Sequence, residues 1–314
     1  MVEESPASPK SPKSHTNPKS SILIGTSGYD YPEWKGVFYP PEVKRADFLS
    51  YYATQFNALE LNNTFYNMPT AGRLLSFYER SEGRLQFSVK ANRLLTHEVT
   101  SDWQKSADDF KQALSPLLEK ASLSAVLFQF PQNFHYTPDN RIYLANLIED
   151  FEAFPVLIEF RHAGWIRESV FEGLEKRGAG LVYCDMPMCR KAQTSIISNY
   201  ANGAQRRMPQ LRNLPDGKTV KSPFIGPNAY IRLHGRNAGA WYAHDAGPET
   251  NGTERNGSAR YCYDYSDSEL ESFVPVISKA MSEGKKTQVF FNNHPDGSGA
   301  KNAKRLKDLL APIP

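Results

Sequence analysis

The chain has 314 residues, a net charge of +3 and 40% apolar residues, including 18 Phe and 16 Tyr. That length fits one barrel domain of roughly 250 residues plus additions, with enough apolar side chains for a large core. No run approaches the ~18 consecutive apolar residues of a membrane span, and Glu3 and Glu4 stand where a signal peptide is apolar.

Residues 1–20 are a low-complexity Ser/Pro/Lys tail, predicted to be disordered. From there strands and helices alternate over a predicted domain of residues 21–314. Strand Ile22–Thr26 precedes helix Asp47–Gln55, and strand Ala58–Asn62 precedes helix Ala71–Glu79. Strand Leu85–Lys90 leads to helix Trp103–Glu119, and strand Ala125–Gln129 to helix Asp139–Phe151. Strand Val156–Arg161, helix Glu168–Lys176 and strand Leu181–Asp185 follow. Residues 190–228 then read as a long, basic, flexible insertion between the sixth and seventh strands. Strand Tyr230–His234, a second loop at 245–260, helix Asp267–Glu283, strand Gln288–Asn292 and helix Ala300–Leu310 complete the chain. Eight strands in βα alternation predict an α/β fold, a single (β/α)8 TIM-like barrel.

The positive charge sits in the appendages. Residues 1–20 carry net +1 and residues 190–221 net +6, which leaves −4 for the rest. The barrel itself therefore lacks the basic face of a nucleic-acid-binding domain. Cys184, Cys189 and Cys262 are an odd, sparse set that predicts reduced thiols in a cytoplasmic or nuclear compartment.

Period-2 alternation assigns the strand faces. Val156, Ile158 and Phe160 share one face, which meets the helices, so Glu159 and Arg161 point into the barrel. The same split turns Glu60, Asn62, Lys90, Arg232 and His234 inward. By the same reasoning Gln129, Asp185 and Asn292 end inward rows. The inward rows are most polar at their C-terminal ends, where barrel enzymes keep their chemistry. His97 and Trp241 follow the third and seventh strands and join the same rim.

Motifs for a nucleotide phosphate loop, a dinucleotide fold, a zinc protease or a nucleophile elbow are absent from the sequence, and no cofactor is assigned. Three function classes remain open. The first is an enzyme acting on an anionic substrate. Lys90, Arg161, Arg232 and His234 would hold a phosphate or carboxylate, Glu159 or Asp185 would be acid or base, and Glu60 would orient a partner. The second is a metal-dependent phosphodiesterase with Glu60, Glu159, Asp185 and His234 as ligands, although the interleaved Lys and Arg are poor company for a cation. The third is a nucleic-acid-binding protein that uses the aromatic rim and the basic 190–221 segment. No metal ligand set is assigned.

Ordered motifs run through the chain: Gly25-Thr26-Ser27-Gly28-Tyr29-Asp30-Tyr31 with Trp34, Glu60-Leu61-Asn62-Asn63-Thr64-Phe65-Tyr66, Phe87-Ser88-Val89-Lys90-Ala91 and Thr96-His97. They continue in Leu127-Phe128-Gln129-Phe130-Pro131, Glu159-Phe160-Arg161-His162, Tyr230-Ile231-Arg232-Leu233-His234-Gly235 and Phe290-Phe291-Asn292-Asn293. In these the chain resembles the DUF72 (YecE-like) family over about residues 22–310. The resemblance implies the same barrel and the same inward residues, and it implies no particular reaction. Tyr29 stands where the family usually has Trp, and the 190–228 connection is longer and more basic than is usual there.

Overall fold

The computed structural model describes residues 22–187, 224–243 and 259–311. The tail 1–20 and most of the 190–228 and 245–260 segments lie outside the described residues. The last residues of the first segment do not: Phe224 is buried against Tyr183, and a strand opens at Asn228.

Eight parallel strands close on themselves: β1 (Leu23–Ser27), β2 (Ala58–Leu61), β3 (Gln86–Lys90), β4 (Leu123–Gln129), β5 (Val156–Glu159), β6 (Gly180–Asp185), β7 (Asn228–Leu233) and β8 (Lys286–Phe291). β8 pairs with β1 in the register Leu23↔Gln288 to Thr26↔Phe291, which seals the barrel. Helices α1 (Phe48–Gln55), α2 (Ala71–Arg80), α3 (Trp103–Glu119), α4 (Pro138–Asp150) and α5 (Glu168–Lys176) lie between the first six strands. α6 (Ala238–Ala243), α7 (Asp267–Glu271) and α8 (Val274–Ser282) precede β8, and α9 (Ser298–Leu310) follows it.

Two helices differ instructively from the sequence reading. The single helix expected over Asp267–Glu283 is two, α7 and α8. Pro275 sits at the start of α8, where its missing N–H costs nothing; within one continuous helix its ring would meet the carbonyl of Glu271. α4 starts at Pro138, with Thr137 accepting a hydrogen bond from the Asn140 N–H.

Strand parity divides the apolar residues into two layers. Val156, Ile158 and Phe160, like Leu59, Leu61, Phe87, Val89, Ile231 and Leu233, pack in the outer layer with the helices. Ala58, Ala125, Leu127, Leu157, Val182, Cys184, Tyr230 and Phe290 fill the inside of the barrel. β4 starts two residues earlier than its sequence pattern suggests, at Leu123. Phe87 pairs with Leu123 and Ser88 with Ala125, so Ser124 is an extra, bulged residue that breaks the alternation.

β6 corrects one expectation. Leu181 and Tyr183 lie in the outer layer, Val182 and Cys184 in the inner one, and Asp185 is in register with the outward Leu233. Asp185 therefore faces out of the barrel, and Cys184 ends the inward row. Gly180–Cys184 is apolar on both faces, as buried parallel strands are, so hydrophobicity carried no phase there.

Gly25 fixes how closely β1 and β2 approach. A Cβ on it would lie 2.0 Å from the Ala58 carbonyl oxygen and 2.8 Å from the Tyr52 hydroxyl. Gly25→Ala is expected to destabilise the barrel by roughly 1–3 kcal/mol or more. Chemical denaturation measures this, and an unchanged midpoint contradicts it.

Candidate active site at the strand ends

The inward rows of β2, β5 and β7 carry a buried ionic network. Arg232 donates from Nε to Glu60 Oε2 (3.0 Å) and from Nη2 to Glu60 Oε1 (2.7 Å), a two-pronged grip. Its Nη1 donates to Glu159 Oε2 at 2.7 Å. Arg161 pairs with the other Glu159 oxygen. Glu60 also accepts from the Ser27 hydroxyl (2.6 Å) and the Tyr230 hydroxyl (2.7 Å), so its lone pairs are well satisfied.

The electrostatics follow from this geometry. Burial raises the pKa of both carboxyls, but the guanidiniums outweigh it. Arg232 leaves Glu60 lowered overall, and Arg161 with Arg232 hold Glu159 well below the usual carboxylate range. A carboxylate so firmly ionised is a weak base, which argues against the general-base role considered for Glu159. Arg232 is likewise committed. Its side chain is 2% exposed, whereas Arg161 keeps 19% exposed and is the guanidinium that can meet a ligand.

Above this network lies the mouth. Lys90 ends the inward row of β3, and its Nζ donates to Gln129 Oε1 at 2.9 Å. The amine also lies 4.3 Å from the centre of the Phe65 ring. Among the described residues it has no carboxylate within ion-pair distance. Desolvation lowers its pKa, Arg232 and Arg161 lower it further, and Glu159 and Glu60 compensate only in part; the result is about 8. His97 packs edge-on against Phe65 at the outer rim, and desolvation, Lys90 and Arg161 lower its pKa. Buried His234 is held neutral by desolvation and by Arg232 and Arg161. The Asn292 amide donates to its Nδ1 at 2.9 Å, which places the ring proton on Nε2. Buried polar atoms here without a hydrogen-bond partner include Asn62 Oδ1, Arg161 Nε and Glu159 Oε1, the last held by its ion pair with Arg161 alone.

Glu60, Asn62, Lys90, Gln129, Glu159, Arg161, Arg232, His234 and Asn292 thus occupy inward positions at one end of the barrel. Asp185 does not join them. It accepts two hydrogen bonds from Arg236 (2.8 and 3.1 Å) and one from the Tyr265 hydroxyl (2.7 Å), outside the inward row. Arg236 lies after β7, beyond any strand-parity argument. Trp241 falls in α6, and its side chain lies outside the described residues. His162 turns to a neighbour instead, its Nε2 lying 3.0 Å from His135 Nδ1. The aromatics after β1 are mostly packing: Trp34 and Tyr39 are buried, and Tyr39 stacks on Phe48.

Sequence reasoning missed Cys184, whose neutral, apolar character hid it. Ligand atoms of Glu159, Cys184 and His234 lie within 4.8 Å of one another. The donor chemistry nevertheless suits a divalent cation poorly. Glu159 already spends both oxygens on guanidiniums, and burial beside Glu159 pushes the Cys184 thiol well up, away from the thiolate that binds metal.

A closed (β/α)8 barrel with a buried Glu–Arg network under a cationic mouth defines the class of protein. The model of the family described as "Protein of unknown function DUF72" matches residues 23–313, and the chain belongs to that family. It is 27% identical over 298 residues to UPF0759 protein YunF of Bacillus subtilis, covering 92% of this chain and 94% of that protein. A DUF72 family crystal structure from Thermotoga maritima shares 29% identity, with a TM-score of 0.71 over 92% of this chain and 98% of the other. One from Enterococcus faecalis shares the fold at 20% identity, with a TM-score of 0.67, covering 92% and 97% of the two chains.

Arg232→Met leaves buried Glu60 without a cation and Glu159 with Arg161 alone, and is expected to cost about 3–5 kcal/mol. Lys90→Met removes a cation that faces two others and is expected to stabilise at neutral pH. Urea titrations of both variants check this, and matching signs contradict it. Glu60 and Glu159 are both lowered from 4.5, so their stabilisation is complete above that pH and is lost as pH falls below it. Acid unfolding below about pH 4.5 should be shallower in Glu159→Gln. A slope equal to the parent's contradicts it.

Proposed function

We propose that this protein is an enzyme whose strand-end mouth binds a small phosphate- or carboxylate-bearing substrate and acts on it by acid–base chemistry. The observation that carries this reading is a charge imbalance. Two carboxylates, Glu60 and Glu159, are matched by Arg232 and Arg161, and Lys90 stands over them as a third cation without an acid. An unmatched cation in a half-buried site is stable only beside an anion or when it gives up its proton.

Arg161, whose side chain keeps 19% of its surface exposed, and Lys90 grip the anion. His97 borders the entrance, edge-on against Phe65. Lys90 takes the acid–base role, because its lowered pKa lets it exchange protons near neutrality. Glu60 and Arg232 act as positioning residues. The nucleic-acid reading rests on residues 190–221, outside the described residues, and no described feature favours it.

Thermal unfolding in sulfate and in phosphate tests the anion site. Sulfate strengthens burial in any protein, so the readout is the difference between parent and Lys90→Met at equal ionic strength. A parent-specific rise in the midpoint is expected, reaching about 2.7 kcal/mol at a hundredfold excess over Kd. It should fade as pH rises through about 8, where Lys90 loses its proton. Equal shifts in the parent, Lys90→Met and Arg161→Met contradict the reading.

A further inference from the structure

We propose that Lys90 is an imine-forming lysine, whose Nζ adds to the carbonyl carbon of an aldehyde or ketone while the substrate's anionic group rests on Arg161. This rests on the anion-binding reading above and names the substrate's reactive group.

The first argument is the company the amine keeps. Its hydrogen-bond partner is an amide, Gln129 Oε1 at 2.9 Å, and its other neighbour is the Phe65 ring at 4.3 Å. An amide carbonyl orients an amine without the full negative charge by which a carboxylate keeps it protonated. A lysine meant only as a fixed cation would gain from a carboxylate here, and none is in reach among the described residues. The titratable groups facing it are Arg232 and Glu60 from β7 and β2, Glu159 and Arg161 from β5 and the chain just after it, His97 beyond β3 and His234 just after β7. Two adjacent guanidiniums and desolvation are the conditions that free a lysine amine for nucleophilic attack. They bring its pKa to about 8 from the ordinary 10.5.

The second argument is elimination. The Cys184 thiol is buried and held protonated beside Glu159. The Tyr230 hydroxyl, also buried and held protonated, donates to Glu60. The Ser27 hydroxyl donates to Glu60, which is too firmly ionised to take a proton from it. Glu159 is locked between Arg161 and Arg232. His97 and His234 are also neutral, but a ring nitrogen cannot lose two protons to make C=N, so the Lys90 amine is the imine-forming nucleophile of the mouth.

The step balances simply. The amine lone pair forms the N–C bond as the carbonyl π pair moves to oxygen. One proton passes from nitrogen to that oxygen, giving a carbinolamine. The C–O bond then breaks, the nitrogen loses its second proton to the departing hydroxide, and C=N and one water remain. A proton from solvent makes the iminium, which draws electrons from the neighbouring carbon as the carbonyl did, but more strongly.

The test incubates the whole protein with glyoxylate, an aldehyde bearing a carboxylate, and cyanoborohydride at pH 7.5. Peptide mass mapping then locates the reductively alkylated lysines. Lys90 has on the order of 100-fold more neutral amine than an ordinary lysine, partly offset by its lower basicity. Labelling of Lys90 is expected to be on the order of tenfold faster than that of exposed lysines. Sulfate should slow it. Gln129→Glu, which supplies the missing carboxylate, should abolish the preference while the protein stays folded. Labelling no faster than at exposed lysines overturns the imine proposal, and the sulfate-dependent stabilisation of the parent would still stand on its own. Preferential labelling that sulfate leaves unchanged keeps the imine and overturns the anion site. Preference that survives Gln129→Glu overturns the role given to the amide.

Discussion

The guanidinium of Arg232, buried inside the barrel, is the constraint on which the rest of the site depends. It holds Glu60 with two hydrogen bonds and Glu159 with a third, joining the ends of β2, β5 and β7 across the interior. Taking three charges out of water costs several kcal/mol per ion, and the mutual attraction recovers that only because the charges are paired and Glu60 accepts four hydrogen bonds. An apolar plug of the same volume would serve stability at least as well. The network's value is geometric: it fixes two carboxylates and leaves one oxygen of Glu159 to fasten Arg161.

That anchoring separates the cations by role. Arg232 is spent below, Arg161 is fastened by Nη2 to Glu159 and by Nη1 to Met186 Sδ yet stays partly exposed, and Lys90 has no acid within ion-pair distance among the described residues. Positive charge in excess of negative, concentrated where water is scarce, attracts an anion and at the same time weakens the hold of Lys90 on its proton. Both consequences come from the same imbalance. The family's relatives share the fold, and their names specify no chemistry for this mouth, so the argument for function rests on these side chains alone.

Most of the barrel could be read from the chain, because a strand buried on one side by helices and lined on the other by charge shows its period plainly. Val156-Leu157-Ile158-Glu159 is the clearest case: its parity correctly sent Glu159 inward. Where both faces are apolar the period vanishes, and Asp185 was assigned to the wrong side of β6 for that reason. Cys184, the residue that does end that row, gave no polar signal. The bulge at Ser124 hid the start of β4, and Pro275 was a sequence-visible break passed over in a long apolar pattern. Pairing was harder than placement. Parity sends three basic and three acidic groups inward, Asp185 wrongly among them, but only the geometry shows that Arg232 takes Glu60 with both prongs and leaves Lys90 to an amide.

The central claim is that Lys90 is an unmatched cation poised to lose its proton. The most direct measurement is a pH titration of the lysine side-chain carbons by 13C NMR, with the Lys90 signal assigned by its loss in Lys90→Arg. The account predicts a midpoint of about 8 for Lys90. A midpoint at the ordinary lysine value of 10.5 would contradict it.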